Sequence, residues 1–238
     1  MGSPPRSLRT RIEGRIARKA RDLSLLRRYP MVRLHRRLAD LTLVPKGQFV
    51  DNLVVARSAR AVDGDLVECG AWRGGMSAAL AWALPGRRSM LLDSFEGLPD
   101  AKAIDGPAAL HWSTVLREHD NCSAEERWAH DAMARVGHTD YELVRGWFAD
   151  TVPAYAARAR PIAVLRLDGD WYDSTMVCLE HLFPLVRPNG VVLVDDYFDW
   201  DGCSRAVHDY LAREGSAERL RTSRAQEFAY IVKGAGPA

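Results

Sequence analysis

The stretch Leu165-Arg166-Leu167-Asp168-Gly169-Asp170 decides the fold, and Val191-Val192-Leu193-Val194-Asp195-Asp196 repeats its pattern further along the chain. Each is an apolar run that ends in two carboxylates, which is typical of a buried parallel strand that delivers acids at its carboxyl end. If the two strands are neighbours, up to four acidic side chains meet at one point. Like charges at that density are unfavourable without a cation or a shared proton, so the pattern predicts a hard metal ion with oxygen ligands. The alternative is that each acid only caps the helix after its strand.

From residue 63 onward, predicted strands alternate with predicted helices, which is typical of a parallel α/β sheet covered on both faces. Besides the two acidic strands, the predicted strands are Asp65–Cys69, Ser89–Asp93, Tyr141–Arg145 and Phe228–Lys233. Residues 98–122 show no clean period, so we expect a long surface loop with a single helical turn that acts as a functional lid. A helix is predicted to begin near Asp173-Ser174, with one of these side chains accepting from its free backbone N–H groups.

The composition indicates an ordinary globular protein, because 47% of the 238 residues are apolar and 27% are charged. No apolar run approaches the roughly 18 residues of a membrane span, and the basic start lacks the apolar segment of a secretory signal. We therefore expect a cytoplasmic protein without a membrane partner. The four cysteines lie far apart and lack zinc-site spacing, which favours reduced thiols.

The amino-terminal region is strongly basic. Residues 1–46 contain thirteen Lys or Arg against three acidic residues, whereas the whole chain carries a formal charge of +2. Basic arms commonly contact nucleic acid or membranes. Here, however, apolar residues recur at helical spacing, which favours packing helices with solvated basic faces; they are Leu8, Ile12, Ile16, Leu23, Leu26, Met31, Leu34, Leu38 and Leu41. We predict a basic helical extension over residues 1–60, which covers the substrate or contacts another subunit, and a catalytic domain over residues 61–238.

The first predicted strand leads into a glycine-rich loop, Glu68-Cys-Gly-Ala-Trp-Arg-Gly-Gly75. Its spacing is not G-x-G-x-x-G, which argues against a dinucleotide cofactor. S-adenosylmethionine has no phosphate, and its amino-acid end can use this loop and the acid Glu68. Its ribose needs an acceptor after the second strand, which is either Asp93 or Glu96. Trp147, after the third strand, could form an aromatic wall against adenine or belong to the core.

Five motifs in order closely resemble the macrocin O-methyltransferase (TylF-type) family, and their co-occurrence is more specific than any one of them. They are Val67 to Gly75, Asp93 to Pro99, Gly146 to Phe148, Leu165 to Asp170 with Tyr172 and Ser174-Thr175, and Val194 to Tyr197 with Gly202-Cys203. The resemblance covers roughly residues 60 to 235. Residues 100–140 and the basic amino terminus match poorly, and these segments would be expected to shape the acceptor pocket.

The resemblance implies a Rossmann-like class I methyltransferase fold with a mostly parallel seven-stranded sheet. It further implies Mg2+ on Asp168, Asp195 and Asp196, and Asp170 as the general base. The implied S-adenosylmethionine contacts are Glu68, Gly70, Ala71, Trp72, Arg73, Gly74, Gly75, Ser77, Asp93, Ser94, Glu96, Gly146, Trp147 and Phe148. The implied reaction methylates a sugar hydroxyl of a glycosylated small molecule in antibiotic biosynthesis, and the implied assembly is a homo-oligomer.

Two other activities compete with this interpretation. A metal-dependent catechol or phenol O-methyltransferase would share the sheet and the acidic site, but such enzymes often use a lysine near the metal. The sequence has no lysine between Lys102 and Lys233, which favours an aliphatic hydroxyl. An RNA methyltransferase would use the basic arm, but no N-P-P-Y-like loop for an extruded base is present, so we expect no nucleic-acid partner.

A histidine could replace Asp170 as the base. The candidates His111, His119, His130, His138 and His181 fall in predicted loops or helices, and none ends a core strand. A surface or packing role is therefore favoured for them. A binding module without catalysis would leave four clustered aspartates without a purpose.

Overall fold

The computed structural model describes residues 28–117 and 121–235. The strands are β1 (Asp65–Cys69), β2 (Ser89–Asp93), β3 (Tyr141–Arg145), β4 (Ile162–Leu167), β5 (Val186–Val194), β6 (Arg221–Thr222) and β7 (Ala229–Val232). They form one seven-stranded sheet in the order β3-β2-β1-β4-β5-β7-β6. The first five of these are parallel, whereas β7 runs antiparallel to both β5 and β6. The mostly parallel seven-stranded sheet is thereby confirmed.

Helices cover both faces of this sheet. They are α1 (28–38), α2 (Lys46–Ala56), α3 (Gly75–Ala83), α4 (Gly106–His111), α5 (Glu126–Val136), α6 (Phe148–Ala156), α7 (Tyr172–Leu182) and α8 (Asp201–Arg213). One core lies under α1, α2, α3 and α5, and the second lies under α6, α7 and α8. Successive strand residues point to opposite faces, so Leu66 belongs to the first core and Val67 to the second.

Strands β1 and β4 are buried along their whole length. They lie in the middle of the sheet with helices on both sides, which is why their sequences do not alternate between apolar and polar residues. Their charged residues are Asp65 and Glu68 in β1 and Arg166 in β4. The predicted bounds of β1, β2 and β3 agree with the structure.

Three elements differ from the prediction. The segment of residues 98–122 contains α4 and a π-helical turn at Trp112–Leu116, rather than a loop with a single turn. Helix α6 directly follows Trp147. It was not predicted, because proline is unfavourable inside a helix and Pro153 lies within this one. The edge strand β6 has only two residues, too few for a periodic signal.

The predicted packing helix of the amino-terminal region is confirmed for its described part. Met31, Leu34, Leu38 and Leu41 are all buried, and they belong to the same core as α2, α3 and α5. The earlier apolar positions, Leu8 to Leu26, lie outside the described residues. The division of the chain at residue 60 stays a prediction. Within residues 28–117 and 121–235, no helix combines the length and apolar character that crossing a membrane requires.

Candidate active site

The acids of the two quoted stretches meet at the carboxyl edge of the sheet. Strands β4 and β5 pair so that Leu167 lies opposite Val194, which makes Asp168 and Asp195 neighbours. Asp168, Asp195 and Asp196 each offer one carboxylate oxygen, and these oxygens lie within 4.8 Å of one another. The meeting point is beside β1, where the strand order reverses and open α/β sheets bind their ligands.

Arg166 joins these acids, and the sequence reasoning did not single it out. Only 1% of this residue is exposed, and its Nη1 lies 2.5 Å from Glu68 Oε1 and 2.6 Å from Asp168 Oδ2. Its Nη2 lies 2.7 Å from Asp195 Oδ1, an ion pair without hydrogen-bond geometry. Glu68 and Arg166 are cross-strand partners in β1 and β4, so their side chains point to the same face. A charged residue inside an otherwise apolar run was the available signal.

The pKa shifts in the acidic cluster indicate that it has too little positive charge to keep all its carboxylates ionised. Loss of water around Asp168 raises the pKa of its carboxyl well above the usual range, although Arg166 opposes the shift. Burial and the neighbouring aspartates raise the pKa of Asp196 in the same way. Burial opposes the charge of Arg166, but Asp168, Asp195 and Glu68 raise its pKa. A set of oxygen donors that disfavours its own ionisation fits a small, hard divalent cation.

Asp170 lies two residues beyond Asp168 and is held from two sides. Its φ of +58° is in the left-handed region, which costs energy for a residue other than glycine. The backbone N–H of Asp170 donates to Asp196 Oδ2 at 3.1 Å, and Trp200 Nε1 donates to Asp170 Oδ1 at 2.9 Å. Burial raises the pKa of the Asp170 carboxyl to about 7, although the Trp200 hydrogen bond opposes this shift. Trp200 was not predicted, since it lies 30 residues away along the chain.

The glycine-rich loop approaches the acidic strand closely. Gly70 has a φ of +94°, and a Cβ at this position would lie 1.7 Å from the backbone oxygen of Asp168. Only glycine fits between β1 and β4 at this point. Glu68 is buried just before it and accepts hydrogen bonds from the Ser77 hydroxyl and from Arg166. Burial raises the pKa of Glu68, against the effects of Arg166 and Ser77.

Asp93, rather than Glu96, faces the loop at the end of β2. Its Oδ2 accepts from the backbone N–H of Trp72 at 2.7 Å, and its Oδ1 accepts from that of Phe95 at 2.6 Å. The side chain of Glu96 is 59% exposed and lies 3.9 Å from Arg145. Of the two predicted ribose acceptors, the structure therefore brings Asp93 to the site.

A cavity of about 800 Å³ connects these groups. The predicted residues that line it are Glu68, Gly70, Ala71, Trp72, Asp93, Ser94, Gly146, Trp147, Phe148, Asp168, Asp170, Asp195 and Asp196. Arg73, Gly74, Gly75, Ser77 and Glu96 are not among the lining residues. Trp147 is 38% exposed and is therefore not a core residue. The cavity lining contains no histidine among the described residues, and His119 lies outside them.

Two of the predicted cofactor contacts that do not line the cavity, Arg73 and Ser77, have structural roles. The guanidinium of Arg73 lies 4.3 Å from the ring centre of Trp72 and donates to the backbone oxygen of Asp40. Ser77 points into the fold, where its hydroxyl donates to Glu68. Both residues thus contact side chains that line the cavity without lining it themselves.

The segment from Pro99 to Leu116, which we call the lid, contributes part of the cavity lining. Lys102 and Asp105 line the cavity, and Lys102 pairs with Asp173 of α7. Asp105 Oδ1 accepts from the backbone N–H of Tyr172 at 2.7 Å. The predicted capping of α7 by Asp173 or Ser174 is therefore wrong, because a lid carboxylate takes the free N–H at its first turn.

Comparisons with known proteins agree with this geometry. The sheet order and the ligand edge are those of the Rossmann-like class I methyltransferases, which are its neighbours among solved structures. The chain belongs to the macrocin-O-methyltransferase (TylF) family, whose model matches residues 42–223. The O-methyltransferase NovP superposes with a TM-score of 0.65 at 31% identity, covering 78% of this chain and 80% of NovP.

Two curated relatives are from Streptomyces. The 8-demethyl-8-(2,3-dimethoxy-alpha-L-rhamnosyl)-tetracenomycin-C 4'-O-methyltransferase of Streptomyces olivaceus is 41% identical over 176 residues, which cover 68% of this chain. The demethyldecarbamoylnovobiocin O-methyltransferase of Streptomyces niveus is 36% identical over 168 residues, again 68% of the chain. In both cases the match spans 63% of the relative's length.

Proposed function

We propose that the chain is an S-adenosylmethionine-dependent O-methyltransferase that methylates a sugar hydroxyl of a glycosylated small molecule, with Mg2+ on Asp168, Asp195 and Asp196. The observation that carries this proposal is the three carboxylate oxygens within 4.8 Å of one another, next to the glycine-rich loop. The names of the relatives support it, since they are O-methyltransferases of glycosylated antibiotics such as the rhamnosyl tetracenomycin. A role in antibiotic biosynthesis is part of the same proposal.

The donor set suits magnesium. Mg2+ prefers six oxygen ligands, so three carboxylates leave positions for hydroxyl groups of the acceptor. When bound, the ion would stabilise the negative charge that develops on the reacting sugar hydroxyl, which is otherwise a poor acid.

Asp170 is proposed as the general base. Its carboxylate takes the hydroxyl proton while the oxygen–methyl bond forms and the sulfur–methyl bond of the donor breaks, leaving S-adenosylhomocysteine. The indole N–H of Trp200 fixes one oxygen of this carboxylate, which leaves the other oxygen for the proton. Asp170 is half-buried in the cavity lining, where a carboxylate can take a proton from a bound acceptor.

The cofactor is proposed to lie along β1, β2 and β3. Asp93 would accept from the ribose hydroxyls, and its hydrogen bonds to the backbone of Trp72 and Phe95 hold it there. Trp147 and Phe148 line the cavity beyond β3 and would contact the adenine ring. Both oxygens of Glu68 already accept hydrogen bonds, so this acid would meet the amino-acid end of the donor as a fixed charge.

The test is a methyl-transfer assay with labelled S-adenosylmethionine and a panel of glycosylated natural products, with and without EDTA. We expect transfer to a sugar hydroxyl that stops with EDTA and returns with added Mg2+. Full turnover in demetallated protein would contradict the role of the metal. Preferential methylation of catechols would favour the phenol alternative, and salt-sensitive RNA binding with RNA methylation would favour the nucleic-acid one. Homo-oligomeric assembly and a cytoplasmic location stay predictions.

A further inference from the structure

Asp168, Asp195 and Asp196 each have one oxygen in contact with a protein N–H or guanidinium group, through a hydrogen bond for Asp168 and Asp196 and through an ion pair alone for Asp195. Arg166 Nη1 lies 2.6 Å from Asp168 Oδ2, and Arg166 Nη2 lies 2.7 Å from Asp195 Oδ1. The backbone N–H of Asp170 donates to Asp196 Oδ2 at 3.1 Å. The second oxygen of each carboxylate is therefore the one that a metal ion can use without displacing a protein contact.

One free oxygen per carboxylate restricts the kind of cation that fits. Calcium takes six to eight oxygen ligands and often binds a carboxylate through both oxygens, whereas magnesium is smaller and requires a near-octahedral arrangement. A guanidinium paired to one oxygen fixes the orientation of a carboxylate, which favours metal binding through its second oxygen over binding through both oxygens. Three single oxygens suit an octahedral ion and disfavour calcium.

Arg166 is itself prevented from moving away. It is fully buried, and its Nη1 also pairs with Glu68 Oε1 at 2.5 Å. The Ser77 hydroxyl donates to the other oxygen of Glu68, so the carboxylate that anchors Arg166 is held in turn. The planar guanidinium reaches three carboxylates at once, which the single ammonium of a lysine cannot do with the same geometry.

We propose that Arg166 is a positioning residue that restricts Asp168 and Asp195 to one metal-binding oxygen each, and that it thereby selects a magnesium-sized cation over calcium. This inference rests on the proposed function, since it assumes that the acidic cluster holds a divalent metal. In this role Arg166 acts through Asp168 and Asp195, so it need not touch the metal or the substrate.

The test compares the wild type with Arg166→Lys. Calorimetry measures the binding of Mg2+ and of Ca2+ when the cofactor-free protein is titrated with MgCl2 or CaCl2. The wild type is expected to bind Mg2+ more tightly than Ca2+. Because lysine leaves more carboxylate oxygens without a partner and so permits two-oxygen binding, the Mg2+-to-Ca2+ affinity ratio is expected to fall by about tenfold, which is the scale on which changes behind metal ligands alter metal affinity. Electron paramagnetic resonance of bound Mn2+ gives a second readout that needs no turnover.

Two further variants complete the experiment. Arg160→Lys makes the same substitution outside the site, where Arg160 lies 3.6 Å from Asp65 before β4, and is expected to keep the wild-type ratio. Glu68→Gln removes one anchor of Arg166 with little change of shape, and it is expected to lower the ratio by a smaller factor. If Arg166→Lys does not fold, the Mg2+-to-Ca2+ affinity ratio of Glu68→Gln tests the role of Arg166 in its place.

The outcomes separate this inference from the proposed function. If the wild type binds neither ion, the proposed metal site and the role of Arg166 are both overturned. If the wild type binds Mg2+ but Arg166→Lys, or Glu68→Gln in its place, keeps the wild-type ratio, the role of Arg166 is overturned while the metal site stands. A fall in the ratio that spares Arg160→Lys supports the inference.

Discussion

At the scale of single residues, the two oxygens of Asp170 have different neighbours. One accepts the indole N–H of Trp200, and the residue as a whole lines the cavity. Asp170→Asn keeps the shape and the acceptor for Trp200 but removes the proton acceptor. Turnover is expected to fall by about 100-fold or more, while cofactor affinity measured by calorimetry changes little. Substantial residual turnover would exclude Asp170 as the base.

Trp200 has two separable contacts, the hydrogen bond to Asp170 and an edge-on contact with the ring of Trp171 at 5.1 Å. Trp200→Phe keeps an aromatic ring but loses the hydrogen-bond donor, together with the second ring of the indole. A hydrogen bond to a charged group contributes about 1.5 to 3 kcal/mol, so we expect kcat to fall about 10- to 100-fold with KM nearly unchanged.

The matched control for this change is Trp112→Phe, because Trp112 contacts the same Trp171 ring at 5.7 Å and does not line the cavity. The control is expected to keep kcat. Equal losses of kcat in both variants would show that ring packing, rather than the hydrogen bond, is what matters.

At the scale of elements, the lid and α7 are joined by one buried carboxylate. Asp105 accepts from the backbone N–H groups of Lys102 and Tyr172, each at 2.7 Å. Gly202 of α8 packs against it so closely that a Cβ there would lie 2.3 Å from Asp105 Oδ1. The carboxylate therefore ties together the lid, the start of α7 and the start of α8.

Asp105→Ala leaves two partly buried N–H groups without their acceptor. Loss of a helix cap costs about 0.5 to 2 kcal/mol, and unpaired donors that water reaches only in part add to that cost. We expect a lower midpoint of thermal unfolding and faster limited proteolysis within the lid. Asp100→Ala serves as the control, since Asp100 is 88% exposed and its pair with Arg117 is at the surface. Equal effects of the two variants would contradict the role of Asp105.

At the scale of the whole molecule, the segment before the first strand is part of the core. Leu38 and Leu41 are fully buried with residues of α2, α3 and α5, and Arg135 of α5 pairs with Asp40. The backbone oxygen of Leu41 accepts from the N–H of Gly75, at the glycine-rich loop. Residues before Asp65 thus help to position the candidate cofactor loop.

Leu38→Ala is expected to lower the free energy of unfolding by about 2 to 5 kcal/mol, because it leaves a cavity in the core. Chemical denaturation with a fluorescence readout measures this change. Val54→Ala truncates a side chain on α2 that is exposed to solvent, and its expected effect is within about 0.5 kcal/mol. A Leu38→Ala protein as stable as the control would mean that the amino-terminal helix adds little to the core.

The sequence predicted the parallel sheet and much of the candidate site for a physical reason. Apolar periodicity and the residues at strand ends are local properties, and both quoted stretches show them without any knowledge of the rest of the chain. The meeting of Asp168 with Asp195 and Asp196 then followed from the rule that parallel strands carry their carboxyl ends to the same edge. The segment from 98 to 122 was less predictable, since its helices are short and lack a clear apolar stripe.

Local order along the chain thus determined which residues are strands, helices and acidic strand ends in this protein. The tertiary structure alone decided which distant groups contact one another around those acids. Arg166 pairs with Glu68 across 98 positions, Asp105 reaches Tyr172 across 67, and Trp200 reaches Asp170 across 30. Such contacts depend on strand order and helix packing, because only the folded chain brings groups so far apart in sequence within hydrogen-bond distance.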